Sequence, residues 1–193
     1  MSMRRFNIFL LLFVLFATVA RAEWVSGDRA IMGTAVRVEL WHEDPRKGAE
    51  MVEEVMNEMH RIDALMSTYK EDSEISAVNR DAARSPVSVS DELASLVLRS
   101  LEMSRLTGGA FDVTYASAGY LYDFRARQRP QAGQIEEALE AIDFRLVEVD
   151  ADHSTIAFRR NGVRIDLGGI AKGYAVERGA AILRGNGIEH GIV

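Results

Sequence analysis

Apolar Val36, Val38 and Leu40 alternate with Ala35, Arg37 and Glu39, the period of a half-buried strand, and this pattern begins near Ala30. At Asp44-Pro45 the rhythm changes. A capping residue and a first-turn proline lead into Val52, Val55, Met59, Ile62 and Met66 at steps of three and four, which predicts an amphipathic helix whose methionines fill core. Ser90 with Asp91 and Glu92 opens a second helix with Leu93, Val97, Leu101 and Leu106 on its apolar face, and Gly108-Gly109 ends it. A shorter helix is expected from about Gln134 to Ile142. Val147 with Val149, Ile156 with Phe158, and Val163 with Ile165 and Leu167 then predict three short strands, turning at Asp150 to His153 and at Asn161-Gly162. A fourth helix runs from about Ile170 to Arg184, closed by Gly185-Asn186-Gly187. Ile188 to Val193 reads as the start of another strand. An apolar strand start is an unusual terminus, so the natural protein is expected to continue beyond Val193. The order of elements implies an α+β fold, a mixed or antiparallel sheet with flanking helices. Residues 23–193 show no repeat and no linker, and read as one domain or a large part of one.

The first 22 residues have another origin. Arg4 and Arg5 precede an uncharged apolar run from Ile8 to Val19, and Ala20-Arg21-Ala22 puts small residues where a signal peptidase reads. The run is too short to span a bilayer, which needs about 20 apolar residues. Export and cleavage after Ala22 are therefore expected, with a periplasmic mature protein. Those residues carry three arginines and no acid, so without them the net charge of −6 becomes −9, which argues against a nucleic-acid partner. The absence of cysteine excludes disulfides, thiol catalysis and lipid attachment at a cysteine. A metal would be held by oxygen or histidine, and oxygen ligands suit magnesium or calcium; His42, His60, His153 and His190 are scattered, with no ligand spacing.

Four local groups could carry chemistry. In Asp166-Leu167-Gly168-Gly169-Ile170-Ala171-Lys172-Gly173-Tyr174 an extended apolar stretch passes through glycines and a lysine into a helix. Phosphate sites are built in this way, because glycines allow close backbone approach and the first helical turn leaves N–H groups unpaired. The spacing fits neither the Walker loop nor the dinucleotide fingerprint. The other groups are Met32-Gly33-Thr34, Ser67-Thr68-Tyr69 with Ser73-Glu74 and Asn79, and Gly109-Ala110-Phe111-Asp112 with Thr114. Each has a plain structural reading too: a strand-to-helix turn with a solvent-facing lysine, a core Met32, a half-buried Tyr69 ring, and Asp112 capping the turn after Gly109.

In this order and at this spacing the four groups resemble the ApbE family, the FAD:protein FMN transferases of bacterial export compartments, from about Ala30 to Val193. The resemblance implies an ApbE-like, T-fold-related α+β domain with its C-terminal part missing. It implies that Met32, Tyr69 and Ala110, Phe111 and Asp112 belong to the FAD pocket, that Gly168, Lys172 and Tyr174 lie beside the pyrophosphate, and that the carbonyl of Ala171 feeds a magnesium ion whose other ligands lie beyond Val193. The implied reaction moves FMN from FAD to a threonine of an acceptor protein, a subunit of a membrane redox complex, and releases AMP; no residue is assigned as a catalyst. Magnesium-dependent FAD hydrolysis and a non-catalytic FAD carrier are the alternatives. Two departures from the family pattern are Val113 in place of proline and Tyr122-Asp123 in place of a tryptophan-glycine pair.

Overall fold

The computed structural model describes residues 22–123 and 126–193. The signal-peptide expectation falls outside them except for Ala22. The strand expected from Ala30 proves to be the second arm of a hairpin: β1 (Glu23–Ile31) pairs antiparallel with β2 (Thr34–His42), from Glu23 opposite His42 to Ile31 opposite Thr34. Ala30 thus belongs to the end of β1. That strand was not legible because only Ile31 in it is buried, so it lacks the alternation that marks a half-buried strand. Met32 and Gly33 form the two-residue turn, with φ of 54° and 71°. Positive φ at both positions matches the twist of the flanking strands, and Gly33 adopts it without strain.

The helix α1 (Pro45–Met66) starts where expected. Asp44 accepts from the N–H of Arg46 at 3.0 Å, and Pro45 takes the first position, where no N–H is needed. Its face of Val52, Val55, Met56, Met59 and Ile62 is buried between the hairpin and the last helix of the chain, and each such side chain contributes about 1.5–3 kcal/mol relative to exposure. A short helix α2 (Glu74–Asp81), capped by Ser73, was not predicted; with only Ile75 and Val78 buried, its two turns hold too few apolar positions to show a period. After β3 (Val87–Ser88), Ser90 caps α3 (Asp91–Leu106). A 3-10 turn (Val113–Tyr115) leads into α4 (Ala116–Gly119). The next helix, α5, spans Ala132–Leu139 and not 134–142: Gln131 and Gln134 form a reciprocal cap that starts it earlier.

β4 (Val147–Asp150) and β5 (Thr155–Phe158) form the expected hairpin, and β3 adds to the other side of β5. The third expected strand, at Val163, Ile165 and Leu167, does not join a sheet. Its apolar residues are buried as alternation requires, but side chains take the place of a ladder partner. Asn79 donates to the Ile165 carbonyl at 2.9 Å and accepts from the Ile165 N–H at 2.7 Å, and Ser117 Oγ accepts from the Arg164 N–H at 3.0 Å. The N–H of Asp166 donates to the Val113 carbonyl. The helix α6 (Ala171–Gly185) follows and packs on α1, and β6 (Gly191–Ile192) pairs antiparallel with β2. Two small antiparallel sheets, β1-β2-β6 and β3-β5-β4, share one continuous apolar core with α1, α2, α3 and α6, an α+β architecture. Among the described residues no helix is long and apolar enough to cross a membrane.

Candidate functional site

The hairpin turn, the end of α1 and the start of α6 enclose a cleft of about 710 Å³. Met32 and Gly33 form one wall, Ser67 to Lys70 another, and Asp166, Gly168, Ala171 and Lys172 the floor. Met32 sits at φ 54°, a conformation disfavoured for a side chain of its size, and such strain costs on the order of 1 kcal/mol. Tyr69, 87% exposed, presents its ring at the mouth.

Asp166 is the most constrained group of the floor. Its Oδ1 accepts from the Gly168 N–H at 2.6 Å and from the Tyr115 hydroxyl at 3.2 Å, and its Oδ2 accepts from the Thr68 hydroxyl at 2.9 Å. Gly168 permits this closeness, since a Cβ there would lie 2.8 Å from Oδ1. Burial, reinforced by the Asp166 charge and hydrogen bond, pushes the Tyr115 hydroxyl up to about 12, so it stays a donor. Lys70 is paired with Asp63 at 2.7 Å, whereas among the described residues no carboxylate pairs with Lys172, whose Nζ reaches the Gly168 carbonyl at 3.4 Å. In the first turn of α6, beside that lysine, the Ala171 and Tyr174 N–H groups donate to the Leu167 and Ile170 carbonyls, which leaves those of Lys172 and Gly173 for a ligand. A lysine and a helix N-terminus over a glycine turn suit an anionic ligand such as a phosphate group.

The cleft therefore gathers Met32, Tyr69, Gly168, Ala171 and Lys172 among the residues singled out from the sequence. The others lie outside its lining. Phe111 supports the glycine turn from the side, at 3.1 Å from where a Gly169 Cβ would be. Asp112 caps the 3-10 turn, accepting from the Thr114 N–H at 2.8 Å and hydroxyl at 2.6 Å and from the Phe144 N–H at 2.9 Å. Ala110 belongs to the same loop, its N–H bonded to the Thr107 carbonyl. Tyr174 faces a different groove of about 440 Å³ between α3 and α6, where its hydroxyl donates to Glu92 at 2.6 Å. Burial first, then Glu92, pushes that hydroxyl up to about 12, while the Arg61 guanidinium holds Glu92 below the usual carboxylate range.

Thr68, Tyr115, Asp63 and Lys70 were not singled out from sequence. Thr68 and Asp166 lie inside the local groups that carry the family resemblance; nothing local marks Tyr115, which reaches Asp166 across 51 residues. For a metal, the floor and the adjoining wall supply oxygen ligands: the Asp166 carboxylate, the Thr68 hydroxyl and the backbone carbonyls of the turn. Ala171, 3% exposed, opens α6, so its carbonyl enters the helical ladder. Among the described residues no three Asp, Glu or His side chains cluster as a metal cage. Magnesium typically takes one or two carboxylates and keeps water and phosphate oxygens, so the floor fits a partial magnesium site.

Fold and cleft together define an α+β protein whose cleft sets a lysine and a helix N-terminus, suited to an anionic ligand, beside a restrained carboxylate that suits a cation. The chain belongs to the ApbE family, whose family model matches residues 32–193. Among curated relatives, the FAD:protein FMN transferase of Treponema pallidum is 28% identical over 182 residues, covering 90% of this chain and 50% of that protein. The enzyme of the same name from Escherichia coli K12 is 28% identical over 171 residues, covering 84% and 48%. Among solved structures, the ApbE protein of Thermotoga maritima superposes with a TM-score of 0.76 at 31% identity, covering 84% of this chain and 53% of that one. The flavin transferase ApbE of Vibrio cholerae gives 0.79 at 26% identity, covering 88% and 56%. The chain spans about half the length of the curated relatives it matches.

Proposed function

We propose that this protein is a FAD:protein FMN transferase. The observation that carries the reading is the meeting of Lys172 and the α6 N-terminus with Met32 and Tyr69 in one cleft over a fixed Asp166. The pyrophosphate of FAD lies over the glycine turn, where Lys172 and the helical N–H groups offset its charge. Tyr69 and Met32 flank the ring systems. The hydroxyl oxygen of an acceptor threonine attacks the phosphorus on the FMN side, the bond from that phosphorus to the bridging oxygen breaks, and AMP leaves with the bridging oxygen. The hydroxyl proton passes to solvent, and no covalent intermediate on this chain is needed. A magnesium ion, when bound, would neutralise charge on the pyrophosphate, and the Asp166 carboxylate with the backbone carbonyls of the turn into Ala171 would hold it. The acceptor is a protein, and we place it on a membrane redox complex. We further propose that residues 1–22 direct export and are removed, so that the reaction takes place in the periplasm.

The test is incubation with FAD, magnesium and a threonine-bearing acceptor protein, following AMP by chromatography and flavin fluorescence in a denaturing gel. AMP release with a fluorescent acceptor band, lost on replacing the acceptor threonine by alanine, is the expected result. AMP with free FMN alone would make the protein a hydrolase. Tight FAD binding without AMP would make it a carrier, and either outcome overturns the proposal.

A further inference from the structure

Beyond the cleft lies a smaller pocket of about 190 Å³, walled by Arg80, Arg84, Arg164, Tyr120 and Asn161. Three guanidinium groups and, among the described residues, no carboxylate line it, in a chain with a net charge of −6. One carboxylate stands behind it: Asp81 is shared by Arg80 at 3.0 Å and Arg84 at 3.6 Å, which leaves the pair net positive. The Arg164 guanidinium lies 4.5 Å from the centroid of the exposed Tyr120 ring, which holds it without consuming its charge. The wall is rigid, because Ser117 fixes the Arg164 backbone and Asn79 fixes that of Ile165.

The position matters as much as the charge. Val163, Ile165 and Leu167 point into the core, so Arg164 and Asp166 point outward together, about 7 Å apart along an extended chain. Tyr115, bonded to Asp166, and Tyr120, beneath Arg164, flank the two ends of α4. Cleft and arginine pocket are thus neighbours on one continuous strip. Arg80 and Arg84 have side chains 59% and 79% exposed, open to a macromolecule.

We propose that the arginine pocket receives a carboxylate side chain of the acceptor protein, roughly two to four residues along an extended segment from the threonine that takes FMN. The proposal rests on the transferase reading of the cleft. Planar guanidinium groups match a carboxylate bidentately, and an acidic anchor beside the threonine would set which hydroxyl reaches the phosphorus.

The test uses the whole chain and two labelled glycine-serine peptides, each with one threonine, one carrying two glutamates before it and the other two glutamines. Fluorescence anisotropy at low salt should show the glutamate peptide binding about tenfold tighter, the scale of one charge-assisted pair. Arg80→Ser with Arg84→Ser should abolish that preference while FAD affinity, read by calorimetry, stays unchanged. Equal binding of the two peptides, or a preference that survives the double substitution, overturns the proposal. Failure of the unsubstituted chain to bind FAD, with the glutamate preference intact, overturns the reading of the cleft and supports the carboxylate chemistry of the pocket.

Discussion

Asn79→Ala tests whether side chains substitute for a strand partner beneath the cleft. Asn79 makes two bonds to Ile165, donating to its carbonyl at 2.9 Å and accepting from its N–H at 2.7 Å, and Ile165 is 0% exposed. Truncation leaves a buried N–H and a buried carbonyl unsatisfied. Each costs about 1–3 kcal/mol, so a loss of about 2–6 kcal/mol is expected, which lowers the midpoint of thermal unfolding by roughly 5–25 °C. Asp166 follows Ile165 directly, so FAD affinity should fall as well. Asn79→Asp separates hydrogen bonding from packing, because it keeps the acceptor for the N–H but places a carboxylate oxygen against the Ile165 carbonyl. The protonated form restores the donor, so its pKa in the folded variant is raised. The restored stability is then fully present below the ordinary aspartate value of about 3.9 and disappears as pH rises through the folded value. Urea titrations of both variants across acid pH, followed by circular dichroism, provide the measurement. A loss under about 0.5 kcal/mol for Asn79→Ala, or the same pH dependence for both variants, would refute the reasoning.

Tyr69→Ala should weaken FAD binding about tenfold in calorimetry with an unchanged melting temperature, since the ring is 87% exposed; Asp112→Ala should instead lower the melting temperature, because three donors lose their acceptor. Gly168→Ala brings a Cβ to 2.8 Å from Asp166 Oδ1, so it should weaken FAD binding by about tenfold or more while circular dichroism stays native; unchanged affinity would remove Asp166 from the site. Tyr115 and Tyr174 have hydroxyls raised to about 12 from an ordinary 10.0, so the stability they contribute is complete below about pH 10 and is lost as pH rises towards about 12. Alkaline titration of tyrosinate absorbance should show a late component that shrinks with Tyr115→Phe and again with Tyr174→Phe, and no change in either would contradict the hydrogen bonds to Asp166 and Glu92.

The long elements were legible because their information is local. The caps at Asp44 and Ser90 and the apolar steps of α1 and α3 act within a few residues, and the composition of the Asp166 to Tyr174 segment was enough to show an extended stretch turning into a helix, though not that the stretch joins no sheet. Family resemblance brought Met32, Tyr69 and Lys172 forward as a set, yet only the fold shows that they share one cleft and that Asp112 and Tyr174 do not line it. The alternation of Val163, Ile165 and Leu167 reported burial correctly. It could not report the bonding partner, because a buried extended segment needs its N–H and carbonyl groups satisfied and any donor or acceptor nearby will serve. Here Asn79 and Ser117 serve, one from 86 residues away and the other from 47. Thr68 and Tyr115 converge on Asp166 from 98 and 51 residues distant, and no local pattern carries contacts of that range. Burial and capping are decided within a turn or two of chain; the restrained carboxylate beneath the cleft exists only once packing has brought three separate segments together.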